Sequence, residues 1–427
     1  MQSNISYMDE NKVRTQIESQ SPKKVPLNKF SLACAILAST NSILLGHDIG
    51  VMSRAVLFIK DNLKISSSQV EIFVGSVNVC SLIGALASGK TSDMIGRRHI
   101  IILAATTFLI GSLLMGLAPS YAFLMAGRVV VGIGVGYSLM ISPIYTAEVS
   151  PATIRGLLTS LPEVFINVSI LLGYIFNYAL ADLAHHINWR LMLGLAAIPA
   201  IGIGFKVLQM PESPWWIIMK GRIEEAKGVL YKTSESDDEA DLRLEEIIKA
   251  TSSTTPSNWK GQGVWKELLR PSRPLRRILV AAIGINFFMQ ASSNDAVVYY
   301  TPLVFNAVGI HNRKGLIGVT ILMGIAKTSF CIILALFLDN VGRRPMLLLG
   351  TIGMVVSLVA LGLGSIYLHN AYHKPPWAIA LCVVAVYADV SFFSIGLGPI
   401  TWFYSSEIFP IRINCIEYKF YKFRSIF

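Results

Sequence analysis

The chain has 427 residues, of which 53% are hydrophobic and 15% are charged, and its formal net charge at pH 7 is +11. This composition is far more apolar than that of soluble globular domains, so it excludes an ordinary soluble protein. The basic excess does not indicate a nucleic-acid partner, because no soluble segment combines a basic stripe with stacking aromatic residues. It indicates cytosolic loops between membrane spans.

Ten apolar stretches are long enough to cross a hydrocarbon core of roughly 30 Å, which takes about 20 helical residues. In chain order they cover residues 30–52, 70–90, 99–118, 122–146, 160–182, 189–209, 277–306, 315–338, 345–368 and 377–406. Six of them precede a long hydrophilic segment and four follow it. The sequence therefore predicts an all-α protein embedded in a lipid bilayer.

These stretches divide the chain into four parts. We predict a cytosolic N-terminal tail at 1–29, a six-helix bundle at 30–209, a cytosolic helical linker at 210–276 and an incomplete four-helix bundle at 277–427. The tail has no apolar core, so we expect no cleavable signal peptide and a cytosolic N-terminus. Within the linker, the residue pattern predicts helices around 223–231 and 240–250.

One short charged motif occurs twice, at Asp93–Arg98 and at Asp339–Arg344, each time between two apolar spans. A second pair of similar segments, Glu148–Pro151 and Glu407–Pro410, follows a Gly-rich apolar run in each half. Internal duplication of this kind is typical of secondary transporters, whose binding site lies where the two halves meet near the bilayer midplane.

The remaining motifs do not indicate enzymatic chemistry. The cysteines are scattered without a C-x-x-C spacing, and the histidines lack the spacing of a zinc-binding helix. Gly132, Gly134 and Gly136 resemble a fragment of a nucleotide loop, but no strand precedes them. Small residues also let membrane helices approach closely, which is the interpretation we favour. We expect no enzyme activity, metal or cofactor.

Taken together, the motifs resemble those of a sugar porter of the major facilitator superfamily, and above all those of plant polyol and monosaccharide proton symporters. The resemblance covers residues 27–413, and its main segments are Gly46–Ser53, Gly89–Arg98, Ala126–Arg128, Tyr145–Pro151, Leu161–Asn167, Pro211–Pro214 and Gly398–Pro410. It implies the major facilitator fold with its last two helices missing. It therefore also implies that the chain is a truncated form, unstable or inactive when expressed alone. It also implies a plasma-membrane carrier that moves a linear polyol or monosaccharide together with a proton.

Asp48 is an acid within the first predicted span, and an ionisable residue inside a membrane is a functional hypothesis by default. Burial favours its neutral form, whereas a nearby cation favours the carboxylate. The resemblance places Arg128, which opens the fourth span, beside it. It implies that Asp48 carries the proton and that Arg128 is its switchable partner. A static ion pair that only fixes helix packing is the alternative.

The resemblance also implies a substrate site built from spans of both halves, with Glu163, Gln290, Asp295, Lys327 and Trp402 as its expected residues. Asp295 and Lys327 should pair, because either charge buried alone would be costly. Glu163 should accept hydrogen bonds from substrate hydroxyls. Trp402 should lie under the carbon face of the substrate. For Glu163 and Trp402, a role in helix packing is the alternative.

The repeated charged loops lie at the expected cytosolic surface, so we interpret them as a gate. The expected network joins Asp93, Arg97, Arg98, Glu148, Arg155, Glu212, Asp339, Arg343, Arg344, Glu407 and Arg412. Its ion pairs should hold the outward-facing state and separate when the carrier opens inward. Each surface pair contributes only about 0–1 kcal/mol, so the network must act collectively.

Four residues depart from the family pattern. The family usually has an aromatic residue in place of His47, Gly in place of Arg54, Arg in place of Trp215 and Gln in place of Met289. Two alternatives to a proton-coupled carrier therefore stay open. One is an uncoupled facilitator, against which the intramembrane acid Asp48 argues. The other is a non-transporting form that acts as a sensor or as a modulator of full-length relatives.

Overall fold

A computed structural model describes residues 28–151, 154–180, 183, 185–252, 273–292, 294, 297–298, 305, 313–370 and 375–401. All regular secondary structure in these residues is α-helical. The first eight helices are α1 Lys29–Thr40, α2 Ser42–Leu63, α3 Ser67–Ile95, α4 Arg97–Gly116, α5 Tyr121–Val149, α6 Arg155–Ala179, α7 His185–Gly194 and α8 Ala197–Val207. The remaining helices are α9 Pro214–Met219, α10 Ile223–Thr233, α11 Asp237–Ser252, α12 Arg273–Ala291, α13 Arg313–Val341, α14 Arg343–Asn370 and α15 Pro376–Ile395.

Apolar stretches form helices in a membrane because a helix satisfies its backbone hydrogen bonds internally. Within the described residues, nine helical segments are long and apolar enough to cross a bilayer: Lys29–Leu63, Ser67–Ile95, Arg97–Gly116, Tyr121–Val149, Arg155–Ala179, Ile187–Val207, Gly318–Phe337, Arg343–Leu368 and Pro376–Thr401. The all-α membrane class is thus confirmed. The predicted seventh span, 277–306, begins in α12, and most of its second half lies outside the described residues.

The first predicted span, 30–52, differs from the observed helices. It is broken at the buried residue Asn41, where α1 ends and α2 begins, and α2 then continues to Leu63. Arg54 and Lys60, which lie beyond the predicted end of this span at residue 52, therefore belong to α2. The added turns bury apolar side chains against the N-terminal bundle, and this burial stabilises the helix beyond the point where its charges suggested an end.

Glycines allow the helices of the N-terminal half to pack closely. α3 and α4 both pack against α5, which carries the Gly132, Gly134 and Gly136 series. A Cβ atom on Gly132 would lie 2.6 Å from Cβ of Cys80, and one on Gly134 would lie 2.8 Å from Oγ1 of Thr107. These distances leave no room for a side chain, so the packing interpretation of the motif is confirmed.

The two halves of the described chain meet along α6 and α13. The hydroxyl of Thr328 in α13 donates a hydrogen bond of 3.1 Å to the carbonyl oxygen of Asn167 in α6. Apolar residues from both halves form one buried cluster here, with Ile49, Ile166, Ile170, Tyr174, Val298, Phe305, Met323, Val386 and Val390 as its members. The contact therefore places side chains of α6, α13 and α15 around one region between the halves.

The linker forms a small helical unit of its own. α10 and α11 cover the two helices that the sequence predicted, and with α9 they bury Ile217, Ile218, Ala226, Leu230, Ala240 and Ile247. The side-chain amide of Asn28 donates to the carbonyl oxygens of Lys232, at 3.0 Å, and Ser234, at 2.6 Å. The start of α1 is therefore hydrogen-bonded to the end of α10.

Candidate functional site

Asp48 and Arg128 form a buried ion pair between α2 and α5. Nη1 of Arg128 lies 2.5 Å from Oδ1 of Asp48, and the two side chains are 0% and 2% exposed. Nε of Arg128 also donates to the carbonyl oxygen of Phe73 at 3.2 Å, and the guanidinium carbon lies 5.0 Å from the centroid of the Phe73 ring. Arg128 therefore joins three helices, α2, α3 and α5. The contact that the family resemblance implied is present.

The Asp48–Arg128 pair uses only part of its hydrogen-bonding capacity. Oδ2 of Asp48 and Nη2 of Arg128 are buried and have no hydrogen-bond partner among the described residues. Protonation of Asp48 would remove its charge, while Arg128 would keep the carbonyl and ring contacts at Phe73. Because the cation has these other partners, the pair can open without leaving Arg128 isolated.

His47, the neighbour of Asp48, connects α2 to α6 and α7. Its Nε2 lies 3.3 Å from the carbonyl oxygen of Met192, and its ring meets that of Phe176 edge-on at 5.9 Å. This departure from the family pattern is therefore accommodated by a buried polar contact. The other departure in α2, Arg54, lies with its guanidinium 5.6 Å from the ring of Phe58.

The first charged loop forms a compact ion-pair cluster. Arg97 is almost fully buried, and its Nη1 lies 3.1 Å from Oδ1 of Asp93 while its Nε lies 3.2 Å from Oε2 of Glu148. The same guanidinium donates to the carbonyl oxygen of Ser92 at 3.1 Å. Water screens the pair with Glu148 less than it screens an exposed pair, because the two side chains are 2% and 14% exposed, whereas the Asp93 side chain is 42% exposed.

Glu212 caps the start of α4. Its Oε1 accepts hydrogen bonds from the backbone N–H groups of Arg97, at 2.8 Å, and Arg98, at 3.0 Å. A helix leaves its first N–H groups without intrahelical partners and has a positive end there, so a carboxylate stabilises it. The adjacent Ser213 hydroxyl donates to Glu148. Five predicted gate residues therefore lie in one cluster, all in the N-terminal half and the start of the linker: Asp93, Arg97, Arg98, Glu148 and Glu212.

Arg243 of α11 also belongs to this cluster, although nothing in the acid-rich sequence of that helix indicated it. Its Nη2 donates to the carbonyl oxygens that end α5, those of Glu148, Val149 and Ser150, at 3.2 to 3.4 Å. Burial lowers the pKa of Arg243, and the nearby Arg155 lowers it further. The ion pairs found among the described residues do not include Arg155.

The second charged loop repeats the backbone of the first. Gly96 connects α3 to α4 with a φ of 109°, and Gly342 connects α13 to α14 with a φ of 87°. Only glycine adopts such angles readily, so the repeated glycine is explained by this turn. Arg343 and Arg344 begin α14, as Arg97 and Arg98 begin α4. The side chain of Asp339, and all of Glu407 and Arg412, lie outside the described residues.

Two of the predicted substrate residues lie where the halves meet. Glu163 in α6 is buried, and its Oε1 accepts a hydrogen bond of 3.2 Å from the amide of Asn167. Lys327 in α13 is also buried, with Nζ 5.7 Å from the centroid of the Phe393 ring. Both lie within electrostatic range of the Cys331 thiol. The carboxyl group of Glu163 and the ammonium group of Lys327 therefore belong to one region.

The other predicted substrate residues are less closely defined. Gln290 is half-buried near the end of α12, and Asp295 and Trp402 lie outside the described residues. The expected pair of Asp295 with Lys327 therefore stays a prediction. The structure also reveals a buried acid that the sequence analysis missed, Asp389 in α15, which is 1% exposed. Like Asp48, Asp389 is an acid within a predicted apolar span, and that pattern in the sequence indicates a functional group.

Membrane-crossing helices in two halves, with buried charged groups inside and between them, define a multi-span membrane transporter. The family of sugar (and other) transporters matches residues 34–416, and the chain belongs to that family. Polyol transporter 5 of Arabidopsis thaliana is 51% identical over 409 residues, which cover 93% of this chain and 76% of that protein.

More distant relatives agree with this assignment. The glucose transporter GlcP of Staphylococcus epidermidis is 32% identical over 379 residues, which cover 88% of this chain and 80% of that protein. Among solved structures, the proton:xylose symporter XylE bound to 6-bromo-6-deoxy-D-glucose is similar, with a TM-score of 0.80 and 25% identity over 93% of this chain and 85% of XylE. The chain therefore has the major facilitator fold and is a transporter rather than an enzyme.

Proposed function

We propose that this protein moves a linear polyol or a monosaccharide across the membrane together with a proton, by alternating access. The observation that carries the proposal is the buried Asp48–Arg128 pair, 2.5 Å apart. An uncoupled facilitator needs no intramembrane acid, whereas a symporter needs a group that gains and loses a proton during each cycle. The similarity to a proton:xylose symporter supports the coupling.

In the proposed cycle, Asp48 is ionised while it pairs with Arg128. Binding of a proton neutralises Asp48 and breaks the pair, and Arg128 then stays on the ring and carbonyl group of Phe73. Because Arg128 contacts α2, α3 and α5, loss of one contact changes how these helices pack. The N-terminal helices can then close on the substrate, and the next inward opening releases substrate and proton together.

The substrate proposal rests on Glu163 and on the similarity to polyol and glucose transporters. A buried carboxylate accepts strong hydrogen bonds, and a linear polyol offers many hydroxyl donors. Asn167 already donates to Oε1 of Glu163, which holds the carboxyl group in position. We propose that the C-terminal half completes the site with Gln290, Asp295, Lys327 and Trp402.

The cytosolic gate is proposed to consist of the cluster around Arg97 and its counterpart in the C-terminal half. In the described residues, Arg97 holds Asp93 and Glu148 together. Arg343 and Arg344 occupy the equivalent helix start, and Arg155, Asp339, Glu407 and Arg412 are proposed to connect the two halves. We further propose that the carrier lies in the plasma membrane with its N-terminus in the cytosol.

Uptake assays with transporter-deficient yeast test the proposal. Cells that express the chain should accumulate labelled sorbitol, xylitol or glucose against a gradient at acidic external pH, and a protonophore should abolish the accumulation. Absence of any uptake would agree instead with the inactive form that the family resemblance implied. The Asp48→Asn variant should lose concentrative uptake but keep exchange of internal for external substrate, whereas Asp48→Glu should keep part of both. Concentrative uptake with normal pH dependence in Asp48→Asn would contradict the proposed coupling. If uptake by the unaltered chain depends on neither pH nor the protonophore, the protein is a facilitator.

A further inference from the structure

The C-terminal half buries an acid for which the proposed cycle has no role. Asp389 lies in the second half of α15, with 1% of its surface exposed. Neither oxygen of its carboxyl group accepts a hydrogen bond from the part of the chain that the structure describes. A charged carboxylate without donors is costly to bury, so this position favours the neutral acid unless a cation approaches.

α14, which packs along α15, supplies no charge to Asp389. Gly353 of α14 packs against the ring of Phe392 in α15, and α14 and α15 are antiparallel. Ser357, one turn after Gly353, therefore lies at about the same height along the pair as Asp389. The Ser357 hydroxyl is already used, because it donates to the carbonyl oxygen of Gly353 at 2.8 Å. Residues 345–368 of α14 include no Asp, Glu, Lys, Arg or His. Any counter-ion must therefore come from another helix.

α13 also packs against α15, and it carries a cation. Lys327 is the charged residue of its apolar stretch 315–338. The Lys327 ammonium lies 5.7 Å from the ring centroid of Phe393, which follows Asp389 by one turn of α15. The ion pairs found among the described residues do not include Lys327.

The other titratable groups on these helices do not reach Asp389 as hydrogen-bond donors. Cys331 of α13 lies beside Asn167 of α6. Tyr387 of α15 donates its hydroxyl to the carbonyl oxygen of Val319 at 2.7 Å. Cys382 of α15 is buried and lies against Gly364 of α14. Lys327 is therefore the group in the described part of α13, α14 and α15 that can compensate a charge on Asp389.

The arrangement parallels that of the N-terminal half. There, the cation of Arg128 lies on the Phe73 ring and also holds Asp48 at 2.5 Å. In the described part of the C-terminal half, the Lys327 cation also lies near a phenylalanine ring, while the buried carboxyl group of Asp389 has no hydrogen-bond partner.

We propose that Asp389 and Lys327 form a second acid–cation pair, in which Asp389 holds a proton while Lys327 rests on Phe393. This inference rests on the proposed proton-coupled transport. When Lys327 leaves the ring and approaches Asp389, the O–H bond of the acid breaks, its electron pair stays on the carboxylate oxygen, and the proton passes to water. Withdrawal of Lys327 reverses the step, and a proton from water restores the O–H bond.

Infrared spectroscopy of the full chain in lipid vesicles tests the protonation without any substrate. Relative to the unaltered chain at pH 7, Asp389→Asn should remove a C=O band of a protonated carboxylic acid. Asp48→Asn is the matched control and should remove a carboxylate band, because Asp48 is paired. Loss of a carboxylate band in Asp389→Asn would overturn the proposal, whether or not the chain proves to be a symporter.

Uptake of labelled sorbitol and glucose by yeast tests the pairing. Asp389→Asn should reduce concentrative uptake about tenfold or more and lower the amount of folded carrier, because it leaves Lys327 without its partner. Adding Lys327→Gln should restore the amount of folded carrier, which is the readout for the double variants because Lys327 also belongs to the proposed substrate site. Asp389→Glu, which keeps the acid, should retain uptake and show that the site tolerates a change of size. Recovery in Asp295→Asn/Lys327→Gln but not in Asp389→Asn/Lys327→Gln would assign Lys327 to Asp295 and overturn the proposal.

Discussion

Arg243 donates a hydrogen bond to the backbone carbonyl of Glu148, the residue whose side chain holds Arg97. One residue of the linker therefore supports the end of α5 beside the ion-pair cluster around Arg97. A cation at a helix C-terminus satisfies carbonyl groups that lack intrahelical partners and interacts favourably with the negative end of the helix dipole. The linker thus supports the cluster around Arg97, which we propose as the cytosolic gate, and is more than a simple connection.

We expect Arg243→Ala to destabilise the protein by about 1–2 kcal/mol, because three carbonyl groups lose their buried donor. Thermal unfolding of the purified protein, followed by size-exclusion chromatography, would measure the loss. Glu245→Ala is the matched control, since it removes an exposed charged side chain from the same helix and should have little effect. Equal losses in the two variants would show that the contacts of Arg243 are not important.

Two substitutions of Glu212 distinguish the effect of its hydrogen bonds from the effect of its charge. Glu212→Ala should cost about 1 kcal/mol of stability, the usual effect of losing a helix N-cap, because the N–H groups of Arg97 and Arg98 lose their acceptor. Glu212→Gln keeps an oxygen acceptor and should lose about half as much. Thermal unfolding would compare the variants. A Gln variant as unstable as the Ala variant would mean that the charge dominates.

The close packing of α3 against α5 leads to a third prediction, which concerns stability. Gly136→Ala should destabilise the protein by about 1–3 kcal/mol, because the added methyl group would collide with the backbone of Ser81. Gly202→Ala is the matched control, because a Cβ there meets nothing within 4 Å. In a helix, alanine at such an open site should be neutral or stabilising by about 0.5–1 kcal/mol. Similar melting temperatures for the two variants would contradict the packing argument.

A fourth prediction concerns the substrate. Glu163→Gln should weaken apparent affinity for a linear polyol about tenfold, because a neutral amide accepts weaker hydrogen bonds than a carboxylate and tenfold corresponds to about 1.4 kcal/mol. Concentration-dependent uptake of labelled sorbitol would measure the change in KM. Asn167→Asp, which replaces the donor to Glu163 and adds a like charge, should raise KM as well. Unchanged KM in Glu163→Gln would remove Glu163 from the substrate site.

Several features could be read from the amino-acid order alone. The membrane class follows from long apolar stretches, since the cost of unpaired backbone groups in lipid leaves helices as the structure for such segments. The duplication follows from the repeated loops, and the matching positive φ angles of Gly96 and Gly342 show why the glycine recurs. The resemblance also implied the contact between Asp48 and Arg128, because it placed both residues in matching motifs.

Other features depend on which helix lies beside which, and local sequence does not encode that directly. Arg243 belongs to an acidic helix far along the chain from α5, so only the folded linker brings it to the carbonyl groups that it caps. The arrangement of Asp389 and Lys327 likewise depends on how α13 and α15 pack around Phe393. Spacing along a helix reveals which residues share a face. The partners of buried charges are decided by tertiary packing, because a charge inside a membrane is stabilised by the groups that lie within a few ångströms of it.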